Sequence, residues 1–119
     1  MLIKKLEDCK TIVAGDESVL HELLSPINDT GVKSRYSLAN AKVLPGKMTL
    51  WHRMKTTEVY YILSGVGEMY IDDETAIAEK GCAVYIPPNS RQRIKNIGHV
   101  DLEFLCLVDP AWKPEDESV

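Results

Sequence analysis

The sequence predicts an all-β domain, and three observations carry the prediction. Apolar residues recur mostly at a spacing of two, they fall in short runs, and the runs are cut by Gly, Pro, Asn and Asp. With 119 residues, 45% of them hydrophobic, the chain is long enough for one core and too short for two. The predicted unit is a single domain over residues 1–119, a sandwich or barrel of short strands.

The first candidate strand, Ser18 to Leu24, stops at Ser25-Pro26, and the turn residues Asn28 to Gly31 lead into a second, Arg35 to Val43. Pro45-Gly46 precedes a third, Met48 to Met54. Alternation there places Met48, Leu50, His52 and Met54 on one face and Thr49, Trp51 and Arg53 on the other, so His52 points the same way as three apolar residues. The run Glu58 to Leu63 is apolar on both faces, as in a strand covered on both sides. Ser64-Gly65 turns into Gly67 to Asp72, Asp72-Asp73 into Thr75 to Glu79, and Lys80-Gly81 into Ala83 to Ile86. Pro87-Pro88-Asn89 then opens Arg91 to Asn96, where Arg91, Arg93 and Lys95 take the water side and Gln92, Ile94 and Asn96 face in. After Ile97-Gly98 the last strand is Leu102 to Val108. The N-terminal segment is expected to add a strand to a neighbour's sheet. The polar tail, residues 110–119, is expected to fray or drape over the surface.

Eighteen acids against fourteen bases give a net charge of −4 and no positive field for a phosphate backbone, which excludes nucleic acid as a partner. No apolar run approaches the roughly 20 residues of a bilayer span. The start Met1-Leu2-Ile3-Lys4-Lys5 meets charge before a signal-peptide core develops, so a cytoplasmic protein with no membrane partner is expected. Cys9, Cys82 and Cys106 lack CxxC spacing and are read as reduced thiols. Trp51, Val59, Tyr61 and Leu63 are expected to form an outer apolar patch too large for a monomer, which a homodimer would cover.

The residues that carry chemistry follow a spacing: Gly46, five residues, His52, one residue, Met54, three residues, Glu58, six residues, Gly65. Further on come Gly81, then Pro87, Asn89, Gln92 and Asn96. Residues 46–65 resemble the first cupin motif, G-x5-H-x-H-x3,4-E-x6-G, and residues 81–96 resemble the second, G-x5-P-x-G-x2-H-x3-N. The resemblance implies an antiparallel double-stranded β-helix, the jelly-roll cupin barrel. Asn89 stands where the second motif has glycine, and asparagine tolerates the positive φ of a turn.

In metal-binding cupins, two His and a Glu of the first motif and one His of the second converge on Mn, Fe, Ni, Cu or Zn. Here His52 and Glu58 match, while Met54 and Gln92 stand at the other two positions. The implied site is His52, Glu58, Met54 and Gln92, with Cys106 on the last strand as a further soft donor. Thioether and amide lack the basicity of imidazole, so such a divalent transition metal would be weakly held. The other reading needs no ion. A carboxylate aimed into an apolar barrel requires a partner, and His52 as imidazolium, Gln92, Tyr60 and Tyr36 are the candidates for Glu58. His52 and Glu58 then form a candidate acid–base pair.

A small-molecule ligand would meet Gln92, Tyr60 and Met48 in a cavity lined by Met48, Leu50, Met54, Tyr60 and Ile94. His21 and His99 have no ligand spacing, and Gly65-Val66-Gly67 is a hairpin pair with no phosphate-loop context. Two functions follow. One is an enzyme of dioxygenase or isomerase type with a weakened metal site. The other is a metal-free module that binds or senses a small molecule through the His52/Glu58 cluster.

Overall fold

The computed structural model describes residues 1–14 and 17–119. Among these the chain forms strands β1 (Thr11–Val13), β2 (Val19–Leu24), β3 (Ser37–Val43), β4 (Arg53–Met54), β5 (Thr57–Ser64), β6 (Val66–Ile71), β7 (Glu74–Glu79), β8 (Ala83–Ile86), β9 (Gln92–Asn96), β10 (Leu102–Asp109) and β11 (Glu117–Ser118), with two single-turn 3-10 helices at Leu6–Asp8 and Pro114–Asp116. All strand pairings are antiparallel. One sheet has the order β1-β2-β3-β10-β5-β8; the other wall holds β7-β6-β9 and the ribbon β11-β4. None of the described helices is long and apolar enough to cross a membrane.

The two walls close on Ile62, Met69, Ile86, Ile94, Leu102 and Phe104, each nearly or wholly removed from water. At roughly 1.5–3 kcal/mol per buried large apolar side chain, this set is the main favourable term holding the walls together. Along β10 the alternation is strict: Leu102, Phe104, Cys106 and Val108 are buried, while the residues between them are half-buried on the outer face. On β9, Gln92, Ile94 and Asn96 are buried as expected, and the basic residues face out.

The stretch Met48 to Met54 departs from the expected strand. Only Arg53–Met54 is regular, and two isolated bridges, Met48 to Lys95 and His52 to Gln92, connect the rest to β9. Between those bridges the chain advances from position 48 to 52 while its partner moves only from 95 to 92, so one extra residue is inserted, as in a β-bulge. The Thr49 hydroxyl accepts the Ile94 N–H at 3.0 Å and bridges the irregularity. The bulge reverses the alternation. His52 and Met54 are buried, but Met48 and Leu50 are about 40% exposed and Thr49 takes the inward place.

β1 pairs with β2 of its own chain and stands at the edge of that sheet. Of the two courses expected for the tail, draping over the barrel is the one found: Glu117–Ser118 pairs with Arg53–Met54, and Lys55 N–H donates to Asp116 O at 3.0 Å. One other expectation is corrected. Trp51 is separate from the outer patch of β5, because the guanidinium groups of Arg91 and Arg93 lie 4.0 and 4.2 Å from its ring centroid. Those two arginines therefore serve the Trp51 stack. Val59, Tyr61 and Leu63 do share the outer face of β5, beside Leu105 and Leu107 of β10.

Candidate functional site

A cavity of about 40 Å³ lies between the inner faces of β2, β3, β5 and β10 and the β4–β11 ribbon. That is space on the order of one water molecule. Its wall includes His52, Met54, Glu58, Tyr60 and Cys106 from the expected set, together with Glu22, Ser37, Trp112 and Glu117.

Glu58 is buried, and its carboxylate is held from both ends. Gln92 Nε2 donates to Oε1 at 2.6 Å and Cys106 Sγ donates to Oε2 at 3.1 Å. Tyr60 Oη in turn donates to Gln92 Oε1 at 3.0 Å. A carboxylate accepts only, so the amide must turn its nitrogen to Glu58 and its oxygen to Tyr60. These contacts exist because Glu58 and Tyr60 lie two apart on one face of β5, Cys106 pairs directly with Tyr60 on β10, and Gln92 arrives from the opposite wall. A buried charge is tolerable only with such partners. Tyr60 also packs on Phe104, ring centroids 4.4 Å apart, which fixes the ring that carries the hydroxyl.

His52 is oriented by the bulge. Its Nδ1 lies 2.9 Å from Leu50 O, and a carbonyl cannot donate, so Nδ1 carries a hydrogen and donates it, which fixes the orientation of the ring. The backbone N–H and C=O of His52 exchange hydrogen bonds with Gln92 at 3.0 and 2.8 Å, so the two motif positions are joined through main chain.

The sequence-based candidates separate into three groups. His52, Met54, Glu58, Tyr60 and Cys106 share the cavity wall. Gln92 stands behind that wall, wholly buried, and positions Glu58 and Tyr60 rather than lining the space. Met48 and Leu50 fall outside it on the surface, because the bulge flips them. Tyr36 is 44% exposed and is not the partner of Glu58. Sequence reasoning missed Glu22, Trp112 and Glu117. Glu22 shares parity with the apolar Leu20, and Trp112 is a large ring in an otherwise polar tail; both were available signals.

The donor set does not fit a divalent first-row ion. Gln92 offers an N–H₂ rather than an oxygen toward Glu58, both Glu58 oxygens accept hydrogen bonds from protein, and Met54 offers only a thioether. Among the described residues, no three His, Cys, Asp or Glu side chains are grouped to hold one ion.

The comparisons agree with this architecture. Residues 40–108 match the family model described as the cupin domain. The chain is a cupin. An uncharacterized protein of Methanocaldococcus jannaschii is 42% identical over 111 residues, covering 92% of this cupin and 87% of that protein. A cupin 2 conserved barrel domain protein from Salinispora arenicola superposes with a TM-score of 0.78 at 19% identity, covering 97% of this chain and 91% of that one. The polyketide cyclase from Streptomyces resistomycificus gives 0.78 at 20% identity, over 92% of this chain and 79% of the cyclase. Likeness at that identity speaks to the fold, and it shows that enzymes are among the proteins built on it. Asn89, at the second-motif glycine position, has φ +65° as its place in the cupin turn requires.

Proposed function

We propose that this cupin binds a small molecule in its barrel through His52 and the Glu58 cluster, without a metal ion. The observation that carries the reading is that both oxygens of Glu58 accept hydrogen bonds from protein donors, Gln92 and Cys106, where a metal-binding barrel needs that carboxylate for the ion. In this reading, His52 meets the ligand from the cavity wall, and the Tyr60–Gln92–Glu58 chain holds that wall in place. Elemental analysis of protein purified without chelator, followed by melts with Mn, Fe(II), Ni, Cu and Zn, tests it. We expect no stoichiometric metal and no rise in melting temperature, since an ion that bound only the folded state would have to raise it. His52→Ala should fold normally and lose ligand stabilisation. A near-stoichiometric metal, with a thermal shift that His52→Ala abolishes, would establish the metal-dependent reading instead.

We propose further that the outer face of β5 and β8 meets a second copy of the chain. Tyr61 and Tyr85 are 45% and 60% exposed there, beside Leu105 and Leu107. Light scattering should give about twice the 13.4 kDa chain mass, and Tyr61→Glu should return it to one. A monomer at all concentrations rules out the dimer.

A further inference from the structure

The outer face of the β6–β9 wall gathers positive charge that the chain itself does not neutralise. Alternation along β9 sends Gln92, Ile94 and Asn96 inward and leaves Arg91, Arg93 and Lys95 outside. Lys95 lies opposite Glu68 of β6, but Arg93 lies opposite Tyr70. The guanidinium groups of Arg91 and Arg93 instead share the ring of Trp51, and that of Arg93 is also 4.7 Å from the ring centroid of Tyr70. The acids of this face have other donors: Glu68 accepts from Tyr70 Oη, and Asp72 Oδ1 accepts the backbone N–H of Arg91 at 3.0 Å. Among the described residues neither guanidinium is paired with a carboxylate, and Arg93 Nε is closed off from water with no hydrogen-bond partner. Arg35 shows the contrast, since its Nε and Nη2 both donate to Asp109 at 2.8 Å.

We infer that Arg91 and Arg93, gathered by Trp51 and Tyr70, form a surface site for the phosphate group of a small molecule. Two cations on one ring repel each other, and an anion between them turns that repulsion into attraction. A guanidinium over a ring is attracted through its charge and keeps its N–H donors at its edge for an acceptor. A phosphate group carries three acceptor oxygens and close to two negative charges, so it can take a fork from each arginine and offset both. A carboxylate has two oxygens, which a single arginine already engages, as Asp109 and Arg35 do. The site is on the opposite side of the wall from the cavity, because Trp51 precedes the inward His52 and the two arginines flank the inward Gln92. It is therefore independent of what the barrel binds.

The test follows the indole N–H signals of Trp51 and Trp112 by NMR in the full chain, while inorganic phosphate, glycerol phosphate or acetate is added at constant pH and ionic strength. Trp112, in the cavity wall, is the internal control. Arg91→Lys and Arg93→Lys keep the charge and remove the fork. Lys33→Gln, at an exposed loop position ahead of β3, removes a charge elsewhere, and melts without anion check that each variant folds. We expect the Trp51 signal to move saturably with phosphate and with its ester, half-saturating at roughly 1 mM, while the Trp112 signal stays in place. Acetate should bind at least about tenfold more weakly, each lysine variant should weaken phosphate binding by about tenfold, and Lys33→Gln should leave it unchanged. A response that never saturates, an ester that does not bind, acetate binding as tightly as phosphate, or a phosphate affinity indifferent to both lysine variants would each overturn the inference. Every one of those outcomes leaves the reading of the barrel standing.

Discussion

Gln92→Met should destabilise the protein by about 3 kcal/mol, lowering the melting temperature by roughly 10 °C, although methionine fills nearly the same volume. The side chain of Gln92 is wholly buried and makes two hydrogen bonds to side chains of the facing sheet, donating to Glu58 at 2.6 Å and accepting from Tyr60 at 3.0 Å. Methionine retains the packing and removes both. The larger part of the cost comes from Glu58, because a buried carboxylate that loses a donor bears the desolvation penalty of a charge, while the Tyr60 hydroxyl is a neutral group of lesser cost. The size of the effect therefore depends on the charge at position 58. Adding Glu58→Gln to Gln92→Met should recover about 1–2 kcal/mol, since a neutral amide is cheaper to leave underpartnered than a carboxylate. Denaturant melts of the four proteins in the cycle measure this directly. A second substitution that destabilises further would mean that Gln92 is held by packing and that Glu58 does not depend on it.

The same cluster shows how far the sequence could be read. Gln92 was legible because Arg91, Arg93 and Lys95 fix the water side of their strand, and alternation then leaves position 92 inside. What alternation could not supply is the direction of the amide, which follows from Tyr60 and Glu58 lying on β5 across the barrel. Met48 was misplaced by the same rule that placed Gln92. The rule assumes one residue for one across a ladder, and the extra residue between the Met48 and His52 bridges has no signature in local composition. His52 itself was unaffected, being on the far side of the bulge. Glu117 lay beyond reach for a different reason: a two-residue strand in a polar tail has no period to detect, and its partner β4 lies more than sixty positions earlier in the chain. The motif positions were readable since they mark turns and ligand sites together. Cavity residues contributed by β2 and the tail belong to this chain's closure of the barrel and lie outside those motifs.

Gly65→Ala should cost about 3 kcal/mol or more, while the same change at Gly81 should cost only about 1 kcal/mol. Both residues have left-handed backbones, φ +85° at Gly65 and +91° at Gly81, so both substitutions carry the conformational penalty of an L side chain in that region. The difference is what a Cβ would meet. At Gly81 there is nothing within 4 Å. At Gly65 it would stand 2.7 Å from Asp101 O and 2.9 Å from Leu102 Cα, both main-chain atoms at the start of β10. No rotamer change relieves a clash with backbone, so either the β5–β6 turn or the first residues of β10 must shift. That shift would be transmitted, because Leu102 is wholly buried and begins the strand that carries Phe104 and Cys106 into the cavity wall. Gly65→Ala should accordingly lower stability and also weaken ligand binding, whereas Gly81→Ala should lower stability slightly and leave binding intact. Paired melts and binding measurements on the two variants separate the contributions. Equal losses at the two positions would show that left-handed conformation alone accounts for the first-motif glycine, and that the approach of β10 to the β5–β6 turn is loose enough to absorb a methyl group.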